Sequence, residues 1–372
     1  MKKVAIIQRT LVQYRREFFD GLKNTLAEEG VELTLIYGKQ NSEEGLKNDE
    51  VELEWSKYVP NKEIKFGKLS LIWQPCLQEL KDKDLIVVES ANKLILNYLL
   101  MFQRRFFKAS LAFWGHGRNR QDNANSFANQ FKYLFLKQCD WWFAYTSGVK
   151  DFLVEKGYPA EQVTIVQNAI DTQSIQQEYA QITALEMAAL KKEMDIEGDQ
   201  VGIFCGGIYP EKRIDFLLEA CLRIKQEVPN FQMIFIGSGV DATKITQAAA
   251  RHSWIHYVGP KFGNDRVKYF KISALFLMPG LVGLGILDAF ALETPIVTTH
   301  YEFHSPEIEY LEHGKNGLIV GNTIEHYSQA VTQLLHSGDY IQMLGNCRES
   351  AKKYTIETMV ENFKTGILKA LN

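Results

Sequence analysis

The sequence has no cysteine pair at a metal-binding spacing, no apolar run long enough to span a bilayer, and no excess of positive charge. Its five cysteines (Cys76, Cys139, Cys205, Cys221 and Cys347) are scattered through 372 residues and never form a Cys-x-x-Cys arrangement. An odd, scattered set argues against a disulfide framework or a zinc site. It leaves the cysteines as small buried hydrophobes in a reducing compartment. No apolar stretch approaches the roughly 18 residues that a spanning helix needs. The opening Met1-Lys2-Lys3-Val4-Ala5-Ile6-Ile7-Gln8-Arg9 is too short in its apolar part for a signal peptide and reads as a first buried strand. A formal net charge of -3, with only mild asymmetry along the chain, lacks the basic stripe of a nucleic-acid binder. These absences predict a cytoplasmic protein with no nucleic acid among its partners.

What is present is an ordinary globular composition, 46% hydrophobic and 23% charged, at a length that suits two domains. Short apolar runs alternate with longer helical patterns, the signature of parallel α/β architecture. Strands are predicted at Lys3–Gln8, Glu32–Tyr37, Leu85–Glu89, Ala109–Trp114, Trp141–Tyr145 and Val163–Val166. Helices are predicted at Glu17–Glu28, Leu94–Phe107, Asn125–Lys137 and Ser147–Lys156, with a charged loop over Gly38–Val51. A polar helical stretch, Ile175–Met194, leads into a second set of strands at Val201–Cys205, Phe231–Ile236, Ile255–Val258, Leu275–Met278 and Pro295–Thr299. An amphipathic helix over Glu357–Leu371 ends the chain.

The most informative stretch runs from the strand Ala274-Leu275-Phe276-Leu277 through Met278-Pro279-Gly280-Leu281-Val282-Gly283-Leu284-Gly285 into a helix carrying Asp288. Glycines let the backbone turn tightly and let a ligand approach its amides. The first amides of a helix lack internal partners and favour an anion, and Asp288 is placed to accept from sugar hydroxyls. Taken alone, the stretch fits equally well the glycine turns that any parallel α/β protein requires. A second cassette, Val201-Gly202-Ile203-Phe204-Cys205-Gly206-Gly207-Ile208-Tyr209-Pro210-Glu211-Lys212-Arg213, repeats the pattern with two cations at its mouth. Lys212 and Arg213 beside free amides suit a diphosphate. A cation at a helix start is disfavoured by the helix dipole, which makes a counter-anion at Lys212 more plausible; Arg213 reads equally as exposed charge.

The two cassettes resemble the donor half of the retaining glycosyltransferases of family 4, which have the GT-B fold. That family carries a glycine, an arginine and a lysine in the first cassette. In the second it carries two glutamates separated by seven residues, then alanine and a later glycine-x-proline. This chain offers Gly206 and Lys212, then Asp288-Ala289 and Glu293-Thr294-Pro295. Asn168-Ala169-Ile170-Asp171-Thr172, Pro306-Glu307 and Gly314-Lys315-Asn316-Gly317-Leu318 extend the likeness. The chain departs from the pattern at Gly207 (the arginine), Gly280 (the first glutamate), Asp288 (the second) and Glu293 (the late glycine).

The resemblance implies two Rossmann-like parallel α/β domains facing a central cleft. Residues 1–172 form the acceptor domain with the terminal helix 355–372 packed back on it, and residues 173–354 form the donor domain. It implies a nucleotide-diphosphate sugar as donor and a glycan or lipid-linked glycan as acceptor, as in cell-surface polysaccharide synthesis. Transfer would retain configuration by front-side displacement without a protein nucleophile. Lys212 would hold the diphosphate and Asp288 the ribose. Gly206, Gly207, Arg213, Gly237, Gly280, Leu281, Val282, Gly283 and Leu284 would line the donor, the amides of Leu281–Leu284 replacing the missing carboxylate at the sugar. No metal is expected, because neither cassette has an Asp-x-Asp pair.

In the first half, His116 lies between Gly115 and Gly117 after a predicted strand, where it either meets the donor sugar or serves the structure. Tyr14 and Arg15, in the loop after the first strand, are read as donor-phosphate or acceptor contacts. Glu89 is read as an acceptor ligand or as a partner for the next helix, and Asn168 as fixing the interdomain segment. Leu94–Phe113, with Arg104, Arg105 and Lys108, fits either a peripheral contact with the membrane surface or a buried helix and strand. Two further functions share this architecture: a nucleotide-sugar epimerase or phosphorylase, and a non-catalytic nucleotide-sugar binding protein.

Overall fold

The computed structural model describes all residues except 40–49, 68, 104–107, 118–132 and 134. Most of the predicted loop Gly38–Val51, most of the predicted helix Asn125–Lys137, and Arg104 and Arg105 therefore lie outside the described residues. The chain forms two compact units, Met1–Ile170 with Ile356–Asn372, and Asp171–Thr355. Among the described residues, no helix is long and apolar enough to cross a membrane.

The first unit is built on β1 (Lys2–Gln8), β2 (Val31–Tyr37), β3 (Lys57–Tyr58), β4 (Lys62–Phe66), β5 (Leu69–Trp73), β6 (Leu85–Glu89), β7 (Ser110–Gly115), β8 (Trp141–Ala144) and β9 (Val163–Ile165). Seven of these form a parallel sheet in the order β3-β2-β1-β6-β7-β8-β9. The direction of winding reverses between β1 and β6. Val4, Ala5 and Ile6 are all fully buried, as expected for a parallel strand covered on both faces. β4 and β5 form a separate antiparallel hairpin that the sequence pattern did not announce.

The second unit opens with two helices, Thr172–Gln181 and Ala184–Glu193, where the sequence pattern reads as one. The break is a capping box: the Glu186 amide donates to the Thr183 hydroxyl, and the Thr183 amide donates to the Glu186 carboxylate. Then come β10 (Val201–Cys205), β11 (Gln232–Ile236), β12 (Ile255–Tyr257), β13 (Leu275–Leu277), β14 (Ile296–Thr299) and β15 (Gly317–Val320). They make a parallel sheet in the order β12-β11-β10-β13-β14-β15, reversing between β10 and β13. In open sheets of this kind, ligands bind at the carboxyl ends of the strands flanking the reversal.

The terminal helix Ile356–Ala370 belongs to the first unit. Its Phe363 is fully buried, stacks on Phe143 with centroids 4.3 Å apart, and meets Phe18 and Trp114 edge-on at 5.2 and 4.9 Å. Replacing Phe363 by alanine should cost about 3–5 kcal/mol, read as a lower midpoint in urea unfolding of the whole chain. A loss below about 1 kcal/mol would mean that the helix is a detachable tail.

Candidate functional site

At the reversal of the second sheet, β10 ends in Cys205 and β13 is followed by Met278. The loop after β10 rises through Gly206 and Gly207 into a short turn, Pro210–Lys212, before the helix Ile214–Glu227. Lys212 is buried, 6% exposed. Its Nζ donates to the Leu281 carbonyl at 2.5 Å and to the Met278 sulfur at 3.6 Å, both neutral acceptors. The Tyr209 ring lies 5.5 Å away. Burial pulls the Lys212 ammonium down from 10.5 to about 8, against the opposing pull of Cys205 and Glu211. A desolvated ammonium with no carboxylate bonded to it is a natural counter-charge for an anion.

Lys212 is one of several ties between the two cassettes. The Leu281 amide donates to the Glu211 carbonyl at 2.9 Å, and Arg213 donates to the Pro279 carbonyl at 3.4 Å. Gly280 lies against the same backbone: a Cβ there would sit 2.3 Å from the Glu211 oxygen and 2.6 Å from the Lys212 carbonyl carbon. The sequence reading treats Gly280 as a lost sugar-binding carboxylate. The structure adds a packing reason for the glycine, because any side chain at 280 would drive the two loops apart.

Hydrogen bonds inside the unit engage several of the other residues read as donor contacts. The Leu281 amide is used by Glu211, and the Val282 amide donates to His304 Nδ1 at 3.0 Å. Of the four amides assigned to the donor sugar, two are therefore engaged inside the unit; Gly283 and Leu284 are the others. His304, which the sequence did not single out, is buried and donates from Nε2 to the Thr299 carbonyl at 2.9 Å, clamping the loop as a neutral ring. Asp288, read from the sequence as the ribose acceptor, already accepts two hydrogen bonds inside the unit. Arg266, from the helix Asn264–Lys271, donates to both its carboxylate oxygens at 2.8 Å. Arg213 adopts a left-handed backbone (φ 58°) and bonds Thr299 at 3.3 Å and the Asn322 side chain, beneath the rings of Phe216 and Tyr301. Its Nη1 is spent inside the unit, so Arg213 is held in place rather than left as a solvated charge. Gly237 packs so closely that a Cβ would lie 1.9 Å from the Gly206 carbonyl, at a φ of 138° open to glycine. In the fold it lets the β10 and β11 loops touch.

In the first unit, Arg15 is buried rather than presented to a ligand. Its Nη2 donates to Asn168 Oδ1 at 2.6 Å, and its guanidinium faces the rings of Trp114 at 4.9 Å and Tyr14 at 5.1 Å. Asn168 thus holds Arg15, while Tyr14 stays 42% exposed. Glu89 ends β6 at the reversal of the first sheet and accepts from the Arg9 amide at 2.9 Å; burial pushes its carboxyl up. His116 is exposed after β7 and meets the Tyr145 ring edge-on at 4.5 Å. Among the described residues, no group of three or more His, Cys, Asp or Glu is arranged to hold a metal ion.

Comparison with known proteins fits this geometry. Residues 199–337 match the family described as glycosyl transferases group 1. The alpha-monoglucosyldiacylglycerol synthase of Acholeplasma laidlawii is 24% identical over 260 residues, covering 67% of this chain and 63% of that protein. A Haemophilus influenzae protein named as an uncharacterized glycosyltransferase is 26% identical over 172 residues, 44% of this chain and 47% of its own. The chain thus spans less than two thirds of the length of either relative. The crystal structure of Anabaena Alr3699/HepE in complex with UDP superposes with a TM-score of 0.72 at 13% identity, covering 99% of this chain and 100% of that one. The fold is GT-B, two Rossmann-like parallel α/β units, and the stretch of the second unit at residues 199–337 is similar to the glycosyl transferases group 1 family.

The contact between the cassettes is directly testable. Gly280→Ala should destabilise the chain by about 1–3 kcal/mol, because the new methyl group overpacks backbone on backbone. Unchanged stability in chemical denaturation would show that the two loops stand apart in solution.

Proposed function

We propose that this chain is a glycosyltransferase that takes a sugar from a nucleoside diphosphate sugar seated on the second unit. In this reading it transfers the sugar, with retention, to a glycan or lipid-linked glycan in cell-surface polysaccharide synthesis, in the cytoplasm. The observation that carries the reading is Lys212, a buried ammonium among neutral acceptors at the reversal of the second sheet. A diphosphate there would supply the missing negative charge, and the amides of the glycine turn would share the load. Cations and amides, rather than a metal ion, hold the diphosphate in this account. The complex of the Anabaena protein with UDP supports a uridine nucleotide as the first ligand to try. The name of the Acholeplasma relative supports a lipid-borne acceptor. His116 then positions the transferred sugar and offsets charge as the bond breaks, rather than attacking it.

Lys212 has opposite effects on stability and on binding. A fall from 10.5 to about 8 corresponds to roughly 3 kcal/mol held against the charged form. That penalty is fully present below about pH 8 and is relieved as pH rises toward 10.5, because the unfolded chain then binds the extra proton. Lys212→Met keeps the volume and removes the charge. It should raise the melting temperature of the ligand-free protein at pH 7, flatten its rise in stability between pH 8 and 10.5, and lose most UDP affinity in calorimetry. A variant that is less stable and still binds UDP would make Lys212 a structural residue.

A further inference from the structure

The reversal of the second sheet holds a second cation that the sequence cassettes do not contain. Arg266 comes from the helix Asn264–Lys271 and reaches Asp288 in the helix Gly285–Ala291 by two parallel hydrogen bonds of 2.8 Å. The pair is largely sheltered, with side-chain exposures of 22% for Arg266 and 14% for Asp288. Both Arg266 and Lys212 act electrostatically on the thiol of Cys205, the residue immediately before Gly206, and Asp288 acts on it with opposite sign. The end of β10 is therefore flanked by two cations and one bonded carboxylate, with Glu211 near Lys212 and Glu178 near Arg266 as the remaining charges.

A sheltered ion pair is poor stabilisation, since desolvation consumes what the attraction gives, and apolar residues of similar volume often do as well. A guanidinium, however, has five N–H donors, and Asp288 takes two of them. The carboxylate fixes the plane of the fork, the Cys205 sulfur is paired with a further donor, and the remaining donors are left for a second acceptor. Planar, rigid donor sets of this kind suit phosphate oxygens.

Resting on the donor reading above, we propose that Arg266 is the second phosphate-binding cation of the site, and that Asp288 is a positioning residue that holds its guanidinium toward the Gly206 turn. Lys212 and Arg266 then approach a diphosphate from the two loops that meet at Cys205.

The test compares the double variant Arg266→Met/Asp288→Leu with Lys212→Met and the unaltered chain, using UDP and uridine as ligands in calorimetry. The double variant leaves no orphaned charge, and thermal unfolding checks that it folds. It should bind UDP about tenfold to a hundredfold more weakly, as expected for a lost charged hydrogen bond, with uridine affinity unchanged and a shallower dependence of UDP binding on salt. Asp288→Asn, which keeps the shape and loosens the fork, should show a smaller loss of UDP affinity in the same direction. If the double variant binds UDP like the unaltered chain while Lys212→Met does not, Arg266 and Asp288 are a structural pair and the proposal fails alone. If neither variant changes UDP binding, or the unaltered chain does not bind UDP, the donor reading fails and takes this proposal with it. If the double variant loses UDP and uridine alike, the pair serves the nucleoside rather than the phosphates, which also overturns it.

Discussion

The organisation of the second unit depends on burying one ammonium group among neutral acceptors. Lys212 Nζ reaches across to the Leu281 carbonyl and the Met278 sulfur, so the loop after β10 is tied to the loop after β13 by a charge with nothing of opposite sign bonded to it. Such a group is costly to hold, and burial lowers its affinity for a proton. The surrounding structure absorbs the cost through tight backbone contact. Gly280 permits that contact, the Leu281 amide completes it, and His304 braces the loop from the other side. Loops constrained this strongly at the reversal of a parallel sheet would lower the ordering cost of binding a ligand there.

The first unit buries a cation in a comparable way. Arg15 lies behind the first strand with Asn168 as its hydrogen-bond partner and aromatic faces around it. The difference is in the surroundings. Trp114, Phe18 and the terminal helix through Met359 enclose Arg15 completely, so it secures the unit, whereas Lys212 stands at the mouth of a glycine turn. In the first unit, the sheet reversal is marked by a carboxyl group, Glu89, held by the Arg9 amide. Two sheets of the same winding thus present groups of opposite chemistry at equivalent places.

The fold was readable because parallel strands buried on both faces leave long apolar runs. β6 and β10 match their predicted spans, β1 begins one residue earlier than predicted, and β7 is shifted by one residue at both ends. The hairpin of β4 and β5 escaped notice because Lys62-Glu63-Ile64-Lys65 looks like a charged loop and is in fact exposed. The split of Ile175–Met194 was present in the sequence as Thr183-x-x-Glu186, a capping box inside a stretch whose composition favours helix throughout. At the site, the glycine turns and Lys212 were visible as local patterns. Contacts between distant segments were not. Nothing in the local sequence ties Arg266 to Asp288 or His304 to Val282, and a glycine that replaces a carboxylate looks the same as one that admits a neighbouring backbone. The separation of these residues along the chain hid the role of Gly280, Asp288, Arg213 and His304.

The central claim is that Lys212 waits partly discharged for an anion. It is tested most directly by counting protons taken up when UDP binds, by calorimetry at pH 8 in buffers of different ionisation enthalpy. With the free ammonium titrating at about 8, a bound diphosphate should restore its charge and draw in roughly half a proton per site. The uptake should rise toward one proton as the pH is raised further, and Lys212→Met should abolish it. Binding of UDP with no proton uptake at any pH from 7 to about 9.5 would contradict the account, because the ammonium would then be either fully charged before the ligand arrives or remote from its phosphates.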